Sequence, residues 1–241
     1  SLEMLSSYSV FLPSYSVGTD CYREIPYVTR KYGTKAVVIG GKTAMQKAKP
    51  ELEAAIRGSK VEIVDYIWYG GDSNYENIEK LKANETVQNA DMLFGVGGGR
   101  ACDTVKTLAD MLDKPFFTFP TLASNCAACT AITVIYNADG SFKEYYYMHG
   151  PAYHTFVNTK IIADSPEKLL WAGIGDALSK ECEVLFASRD KFIYHTPLMG
   201  QCVAKVCTTP LIEYGAAALE ACRKNEADFA LEQVALDIIM S

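Results

Sequence analysis

The sequence predicts an α/β domain built on a parallel sheet, followed by a helical segment that starts after Asp164. Between residues 36 and 119, short apolar runs alternate with stretches of helical periodicity, and from Ser165 onward the chain is rich in Ala, Leu and Glu. Because alternating strands and helices pack with helices on both faces of a parallel sheet, we expect that architecture for the first part. The predicted domains are residues 1–164 and 165–241.

The strands of the sheet are predicted from four short apolar runs. Runs of this kind, bounded by turn residues, are typical of strands buried on both faces. Helices are predicted between them, with a restart at Pro50 because proline suits the first turn of a helix and not its interior. The predicted strands are residues 36–39, 61–67, 92–96 and 115–119, and the predicted helices are a stretch from Thr43 that restarts at Pro50, residues 77–89 and residues 101–112.

A hairpin is predicted after these strands. Asp139-Gly140 separates two apolar runs, residues 132–136 and 142–147. Asp-Gly between apolar runs is a strong signal for a tight turn. We expect the short apolar runs at residues 156–157 and 161–162 to extend this edge.

The helical part is predicted to begin at Ser165 and Pro166, which suit the N-cap and the first turn of a helix. Gly173 and Gly175 are expected to interrupt this helix. His195 is expected in a short exposed turn. We expect the helical part to be incomplete, because the chain stops at Ser241 within helical periodicity.

Composition limits the class of protein. The chain has 241 residues, is 49% hydrophobic and 22% charged, and carries a formal net charge of −6. The acidic balance argues against nucleic-acid binding without sequence preference, and no apolar run of about 18 residues predicts a membrane span. Residues 1–3 resemble a cloning remnant and no signal peptide is evident, so we expect a cytoplasmic protein.

The cysteines are expected to be reduced thiols, because the chain is large and shows no secretory signal. Cys126 and Cys129 have the spacing of a redox or metal pair. Packing beside a loop is the favoured interpretation of this pair, since no second pair stands at zinc spacing. The eight cysteines are Cys21, Cys102, Cys126, Cys129, Cys182, Cys202, Cys207 and Cys222.

Three consecutive glycines, Gly97, Gly98 and Gly99, lie between a predicted strand and a predicted helix. Glycines allow the backbone to approach a pyrophosphate closely, and the free N–H groups at the start of the next helix face the anion. Asp103 and Lys106 follow on one helix face, where they are expected to reach a ribose hydroxyl and a phosphate. The turn therefore predicts a nucleotide site, although it lacks the G-x-G-x-x-G pattern.

The pattern Gly-Gly-Gly-x-x-x-Asp-x-x-Lys resembles the signature of the glycerol dehydrogenase and iron-containing alcohol dehydrogenase superfamily, of which dehydroquinate synthase is a more distant relative. Three further segments are similar to family segments in the same order: residues 120–124, 131–136 and 173–178. The resemblance runs from about Gly18 to the end of the chain. It implies a dehydroquinate-synthase-like α/β domain that binds NAD or NADP, followed by a helical domain.

The resemblance also implies a function and a set of site residues. The family transfers hydride between an alcohol or polyol and nicotinamide, and a divalent metal, zinc or iron, polarises the alcohol oxygen. By position, Asp176 corresponds to the first metal ligand and Cys126 to a substrate-contacting residue. The residues expected at the cofactor are Gly40, Gly41, Gly97, Gly98, Gly99, Asp103, Lys106, Thr121, Ser124, Thr130, Ile132 and Tyr136.

The sequence departs from the family at three points. None of its histidines, His149, His154 and His195, stands in the motif that supplies the family's other metal ligands. The glycerol dehydrogenases carry an aspartate at the position of Cys126, and a thiol cannot replace the charge-assisted hydrogen bonds of a carboxylate. An acid is also common at the position of Gly41, and its loss makes NADP use possible.

These departures leave alternatives open. A nucleotide-binding or assembly module without chemistry is one, and an enzyme similar to glycerol-1-phosphate dehydrogenase is another. The leading hypothesis is a homo-oligomeric, metal-dependent NAD(P)-linked alcohol or polyol dehydrogenase. For these 241 residues alone we expect cofactor binding without alcohol turnover, and no well-coordinated metal at Asp176. We also expect uncovered apolar side chains at Val203, Val206, Leu211, Leu231, Val234 and Ile238.

Overall fold

A computed structural model describes residues 7–190 and 192–241, so the interpretation of residues 1–3 lies outside the described residues. Six strands form one sheet in which every neighbouring pair is parallel. Across the sheet the order is β1, β8, β5, β4, β2, β3. The strands are β1 (Tyr15–Gly18), β2 (Lys35–Gly40), β3 (Glu62–Trp68), β4 (Met92–Gly97), β5 (Phe116–Pro120) and β8 (His154–Asn158).

Helices cover both faces of this sheet. A short 3-10 turn, Cys21–Glu24, precedes the first α-helix. Three helices, α7 to α9, form most of the chain after the sheet. The helices are α1 (Ile25–Thr29), α2 (Lys42–Ile56), α3 (Tyr75–Lys82), α4 (Glu85–Asn89), α5 (Gly99–Leu112), α6 (Thr159–Ala163), α7 (Glu167–Ala187), α8 (His195–Arg223) and α9 (Phe229–Met240).

Alternating side chains of β2 belong to two different apolar clusters. Ala36 and Val38 pack with Leu52 of α2 on one face, whereas Val37 packs with Val105 of α5 on the other. This two-sided burial explains why the strands are continuous apolar runs. The fold class predicted from the sequence, a parallel sheet followed by helices, is therefore confirmed.

A third apolar cluster joins the sheet domain to the helices that follow it. Cys102 of α5 and Val157 of β8 share this cluster with Leu170 of α7, Leu211 of α8 and Ile238 of α9. The helical part thus packs directly onto the α/β part. No helix in the described part of the chain combines the length and the apolarity that a membrane crossing requires.

The hairpin is formed by β6 (Ile132–Tyr136) and β7 (Phe142–Tyr147), which pair antiparallel as predicted. The predicted extension of its edge is wrong. Residues 156–157 lie in β8, between β1 and β5 of the main sheet, and residues 161–162 lie in α6. Phe156 and Val157 are fully buried, as a central strand requires. The edge strand β1 has no counterpart among the predicted elements.

Two helix boundaries differ from the prediction. Helix α2 runs through Pro50 without a restart. Pro50 lies on the exposed face, while Ala48 and Leu52 on the opposite face are fully buried. Water can therefore satisfy the carbonyl that loses its N–H partner. The helix predicted over residues 77–89 divides in two, because the Asn84 side chain accepts bonds from two backbone amides and starts a new helix.

The predicted interruptions of the first long helix are also wrong. Helix α7 continues through Gly173 and Gly175. A Cβ on Gly173 would lie 2.2 Å from the carbonyl oxygen of Ala123, so this glycine allows close helix packing. His195 is exposed as expected, but it is the first residue of α8 and does not lie in a turn.

The expectation of uncovered apolar side chains holds for only part of the set. Val203 and Val206 on α8 are exposed, by 49% and 69%. The other four are buried, because α7, α8 and α9 cover one another and pack onto the loop after β5. The buried residues are Leu211, Leu231, Val234 and Ile238.

Candidate dinucleotide cleft

The chain changes direction across the sheet between β2 and β4. From β2 it moves outward to β3, and it then returns to the other side of β2 to build β4 and β5. Helices that follow β2 and β4 therefore lie on opposite faces, and a crevice opens between the carboxyl ends of these two strands. Ligands of open α/β sheets bind in such a crevice.

The glycine turn of residues 97–99 lies at this crevice. Gly97 ends β4 with φ +147°, a conformation that favours glycine. Gly98 is the N-cap of α5, and Gly99 is the first residue of that helix. No side chain of the described residues caps α5, so its first amide groups remain available at the crevice. A helix N-terminus of this kind is suited to an anion.

A cavity of about 580 Å³ occupies the crevice. This volume lies within the range typical of small-molecule and cofactor sites. Six of the residues predicted at the cofactor line the cavity: Gly41, Gly97, Gly98, Gly99, Thr121 and Ser124.

Several lining residues had no place in the sequence-based set. They include the side chains of Lys42 and Lys47 from α2 and Trp68 from β3, together with Arg100 from α5. The sequence could have indicated two of them, because Lys42 and Arg100 each directly follow a glycine that was predicted at the site. Trp68 could not be found in this way, because only the pairing of β2 with β3 brings it to the crevice.

Gly40 does not line the cavity, but it allows strands β2 and β4 to approach each other closely. A Cβ at this position would lie 2.1 Å from the carbonyl oxygen of Val96 on β4. Gly41 then turns the chain toward α2, and its amide donates to that same carbonyl. Of the two glycines, only Gly41 lines the cavity.

Neither Asp103 nor Lys106 lines the cavity. The fully buried Lys106 ammonium donates to the carbonyl oxygens of Ala127 and Ile132 and to the Thr130 hydroxyl, at 2.5, 3.0 and 3.0 Å. Its nitrogen also lies 3.5 Å from Asp103. Lys106 therefore connects α5 to the segment that follows β5, and the Asp103–Lys106 pair with its hydrogen-bond partners is called the brace below.

Asp103 completes the brace from the other side. Its second carboxylate oxygen accepts from the backbone amide of Val134 on β6, at 3.1 Å. Burial raises the pKa of Asp103, while Lys106 and the Val134 amide oppose that rise. Burial likewise lowers the pKa of Lys106. Of the residues expected at the cofactor, Thr130 and Ile132 belong to the same brace.

Arg100 forms one edge of the cleft. Its guanidinium donates to Asp72 at 2.7 Å and lies over the ring of Tyr136, 4.1 Å from the ring centre. Tyr136 was expected at the cofactor, and the structure places it beneath Arg100 at this edge. The stacking and the ion pair fix the guanidinium beside the N-terminus of α5.

The opposite edge carries two further cations. The Lys42 ammonium lies over the ring of Trp68, 4.3 Å from its centre. Lys47 reaches Asp164 at 3.0 Å and so ties α2 to the segment before α7. Arg100 and Lys47 are thus paired with the carboxylates of Asp72 and Asp164, whereas the Lys42 ammonium lies over an aromatic ring.

Asp176 and Cys126 do not line the cavity and lie where α7 meets the loop after β5. Lys180, one helical turn after Asp176, contacts both. Its ammonium lies 3.3 Å from the Asp176 carboxylate and 3.0 Å from the Cys126 sulfur. Burial lowers the pKa of Lys180, but Cys126 and Asp176 outweigh it, so the net shift is upward.

The described residues around Asp176 do not by themselves complete the metal site that the resemblance implies. In residues 7–190 and 192–241 there is no group of three or more His, Cys, Asp or Glu side chains arranged to hold an ion. His149 bonds to Asp110 at 3.0 Å. His154 lies between the hydroxyls of Ser14 and Ser16. Because Lys180 already contacts Asp176, the immediate partner of that carboxylate is an ammonium.

The dinucleotide, in contrast, fits the residues present. Gly98 has φ −85°, and the nearest atom to a Cβ there would be a methyl carbon of Leu122, at 3.4 Å. The backbone at the helix start is therefore open on the cleft side. A side chain at this position would fill the space that a pyrophosphate needs.

Comparison with known proteins identifies the family. The family profile described as iron-containing alcohol dehydrogenase matches residues 13–157. The chain therefore belongs to the iron-containing alcohol dehydrogenase family, within the superfamily that includes the glycerol dehydrogenases.

Individual relatives agree with this assignment. The chain is 30% identical over 226 residues to glycerol dehydrogenase of Escherichia coli O6:H1, covering 91% of this chain and 61% of the relative. It is 34% identical over 170 residues to glycerol dehydrogenase of Thermotoga maritima, covering 69% and 46%. The crystal structure of glycerol dehydrogenase from Schizosaccharomyces pombe superposes with a TM-score of 0.84 at 24% identity, covering 98% of this chain and 62% of that one.

The extent of these matches limits what carries over. The chain spans 61% and 46% of the two curated relatives and 62% of the solved chain. At 24% identity, the structural likeness supports the fold alone. The activity of the relatives therefore enters below as a proposal.

Proposed function

We propose that this chain binds a nicotinamide dinucleotide across the turn formed by Gly97, Gly98 and Gly99. The observation that carries the proposal is the position of this turn, at the carboxyl edge of the sheet where the chain reverses direction. The amides of α5 would receive the pyrophosphate. Thr121 and Ser124 supply hydroxyl groups on the same cavity wall.

We further propose that the protein is an oxidoreductase that acts on a small alcohol or polyol. Family membership and the names of the curated relatives support this assignment. The bound dinucleotide would accept or deliver the hydride, and this chain would position its nicotinamide end near the loop that carries Cys126. The finer details of the sequence-based hypothesis, which include zinc, a homo-oligomer, a cytoplasmic location and Asp176 as a ligand, remain proposals.

Lys42 bears on the choice between NAD and NADP. Lys42 lines the cavity directly after Gly41, and no carboxylate lies in that turn to repel a 2′-phosphate. We therefore propose that both dinucleotides bind. Parallel titrations with NADH and NADPH decide this point, and a preference for NADH above roughly a thousandfold, about 4 kcal/mol, would contradict it.

The decisive experiment replaces Gly98 by Val. The backbone there permits any side chain, and the nearest atom to a new Cβ is a flexible leucine methyl, so the fold should survive. NADH affinity, measured by fluorescence titration, should fall by about tenfold or more, because the branched side chain occupies the pyrophosphate position.

Gly200→Ala serves as the matched control. Gly200 lies in α8, and a Cβ there meets no atom within 4 Å. This variant should bind NADH as the parent chain does. If Gly98→Val keeps its fold by circular dichroism and binds NADH with unchanged affinity, the assignment of the site fails.

A further inference from the structure

Two cysteines lie in one tight turn of the loop after β5. The backbone amide of Cys129 donates to the carbonyl oxygen of Cys126 at 3.0 Å, and this bond closes the turn. The first and last Cα atoms of such a turn lie within about 7 Å of each other. Disulfides usually join Cα atoms about 4.4–6.8 Å apart. The backbone therefore already holds the two residues at a separation that suits a disulfide.

Buried side chains hold this turn through its two middle residues. The carbonyl oxygen of Ala127 accepts from the Lys106 ammonium at 2.5 Å, and that of Ala128 accepts from the Thr118 hydroxyl at 2.8 Å. Both donors are fully buried. The conformation of the turn therefore does not depend on contacts of the two cysteine sulfurs, and each thiol can change its partner by rotation of its own side chain.

The two thiols have different surroundings. Cys126 is half-buried, and its sulfur lies 3.0 Å from the Lys180 ammonium. Cys129 is only 6% exposed, and its sulfur lies 3.6 Å from the Thr155 hydroxyl oxygen. Burial raises the pKa of the Cys129 thiol to about 11. An accessible thiol beside a cation is suited to attack a disulfide, whereas a buried thiol reacts with a sulfur that is already next to it.

We propose that Cys126 and Cys129 form a redox-active dithiol that a low-molecular-weight disulfide oxidises. The Cys126 thiolate bonds to one sulfur of the small disulfide, whose S–S bond breaks, and one small thiol leaves with the proton that Cys126 gave up. The Cys129 sulfur then loses its proton and bonds to the Cys126 sulfur, and the second small thiol leaves with that proton. The protein dithiol loses two electrons and two protons, and the small disulfide gains them.

The test equilibrates the complete 241-residue chain with graded ratios of reduced to oxidised glutathione. The remaining thiols are then blocked with N-ethylmaleimide, and the peptide that contains Cys126 and Cys129 is measured by mass spectrometry. As oxidised glutathione increases, this peptide should change from two blocked thiols to an internal disulfide. Dithiothreitol should reverse the change.

Single variants separate the two steps. Cys129→Ser should stop at a mixed disulfide between Cys126 and glutathione, because the second thiol is missing. Cys126→Ser should leave the buried Cys129 unmodified. Lys180→Met should slow oxidation severalfold, because it removes the positive charge beside the attacking sulfur. Lys180→Arg keeps that charge and should react at the rate of the parent chain.

Circular dichroism establishes that each variant is folded. The proposal is overturned if the folded parent chain forms no internal disulfide at any glutathione ratio. It is also overturned if Cys126 and Cys129 react independently and end as two separate glutathione adducts. The chemistry concerns thiols alone, so neither result bears on the NADH titrations.

Discussion

The Lys106 ammonium donates to Ala127, Thr130 and Ile132, and none of these three acceptors lines the cavity. The spacing of Asp103 and Lys106 placed both on one helix face, and their contact at 3.5 Å agrees with that. The sequence could not tell which way that face points. The direction follows from the hairpin strand β6 and the preceding loop, which supply the acceptors.

Removing this brace should destabilise the chain. Lys106→Met leaves Asp103 buried without its cation, and breaking a buried pair by removing one partner costs about 3–5 kcal/mol. We expect a loss of that size in the free energy of unfolding, measured by urea denaturation. Adding Asp103→Asn should recover part of the loss, because the stranded charge is removed.

The control for this variant is Lys80→Met. Lys80 bonds to Glu76 on the surface of α3, where both side chains are 70% exposed. Its loss should change the free energy of unfolding by no more than about 0.5 kcal/mol. If both substitutions lower the free energy of unfolding by the same amount, the buried contacts of Lys106 stabilise the fold no more than a surface ion pair does.

At the scale of elements, α7 lies unusually close to the loop after β5. Gly173 makes that approach possible, because a Cβ would lie 2.2 Å from the Ala123 carbonyl oxygen and 3.0 Å from the Cα atom of Ser124. Backbone atoms cannot move aside as a side chain does. The helix would have to lift away from the loop that lines the cleft.

Gly173→Ala should therefore lower the free energy of unfolding by about 1–3 kcal/mol, the usual cost of overpacking. Gly175→Ala lies two residues further along the same helix, where a Cβ meets nothing within 4 Å. That substitution should stabilise the chain by about 0.5–1 kcal/mol, since alanine is the better helix former. Urea denaturation of both variants tests the pair, and destabilisation of similar size at both glycines would refute the packing argument.

The elements that sequence reasoning predicted well are those in which one local signal dominates. The apolar run of β4 followed by three glycines predicted both the strand and the turn. Failures arose where tertiary contacts decide the outcome. Pro50 is tolerated within α2 because it faces solvent. Strand β8 lies in the main sheet between two strands that are distant from it in sequence, so no local pattern could predict its place. The domain boundary near Asp164 stays a prediction.

The candidate site shows the same division. Glycines at strand ends could be found from the sequence, because a tight turn and a close approach need them locally. The contacts of Cys126 and Asp176 with Lys180 could not, since the loop and α7 meet only in the folded chain. Arg100 stood beside the glycines, but its position over Tyr136 depends on the hairpin.

At the scale of the whole molecule, the α/β part and the helices share one apolar cluster, and Asp237 lies on the helix that completes it. One of its carboxylate oxygens is buried and has no hydrogen-bond partner among the described residues. Burial raises the pKa of Asp237 from 3.8 to about 7. Below about pH 7 the native state therefore favours the protonated acid.

Stability should consequently depend on pH through this group. The pKa of Asp237 is higher in the native state than in the unfolded chain. Its contribution to the free energy of unfolding is therefore fully present below the unfolded pKa near 3.8, and it is lost as pH rises through about 7. Between about pH 5 and about pH 8, the parent chain should lose about 1–2 kcal/mol more than Asp237→Asn does. Urea denaturation at both pH values measures the difference. Asp20→Asn controls for the change in net charge, and identical pH dependence in Asp237→Asn and the parent chain would reject the assignment.

The brace formed by Asp103 and Lys106 also has a thermodynamic consequence for ligand binding. The segment from Ala127 to Val134 is already held by hydrogen bonds to the buried side chains of Lys106 and Asp103 before any ligand arrives. Ordering a mobile loop on binding would cost conformational entropy and slow association. Because these bonds order the segment during folding, we expect a dinucleotide to bind in a single kinetic phase, without a slow rearrangement of this segment.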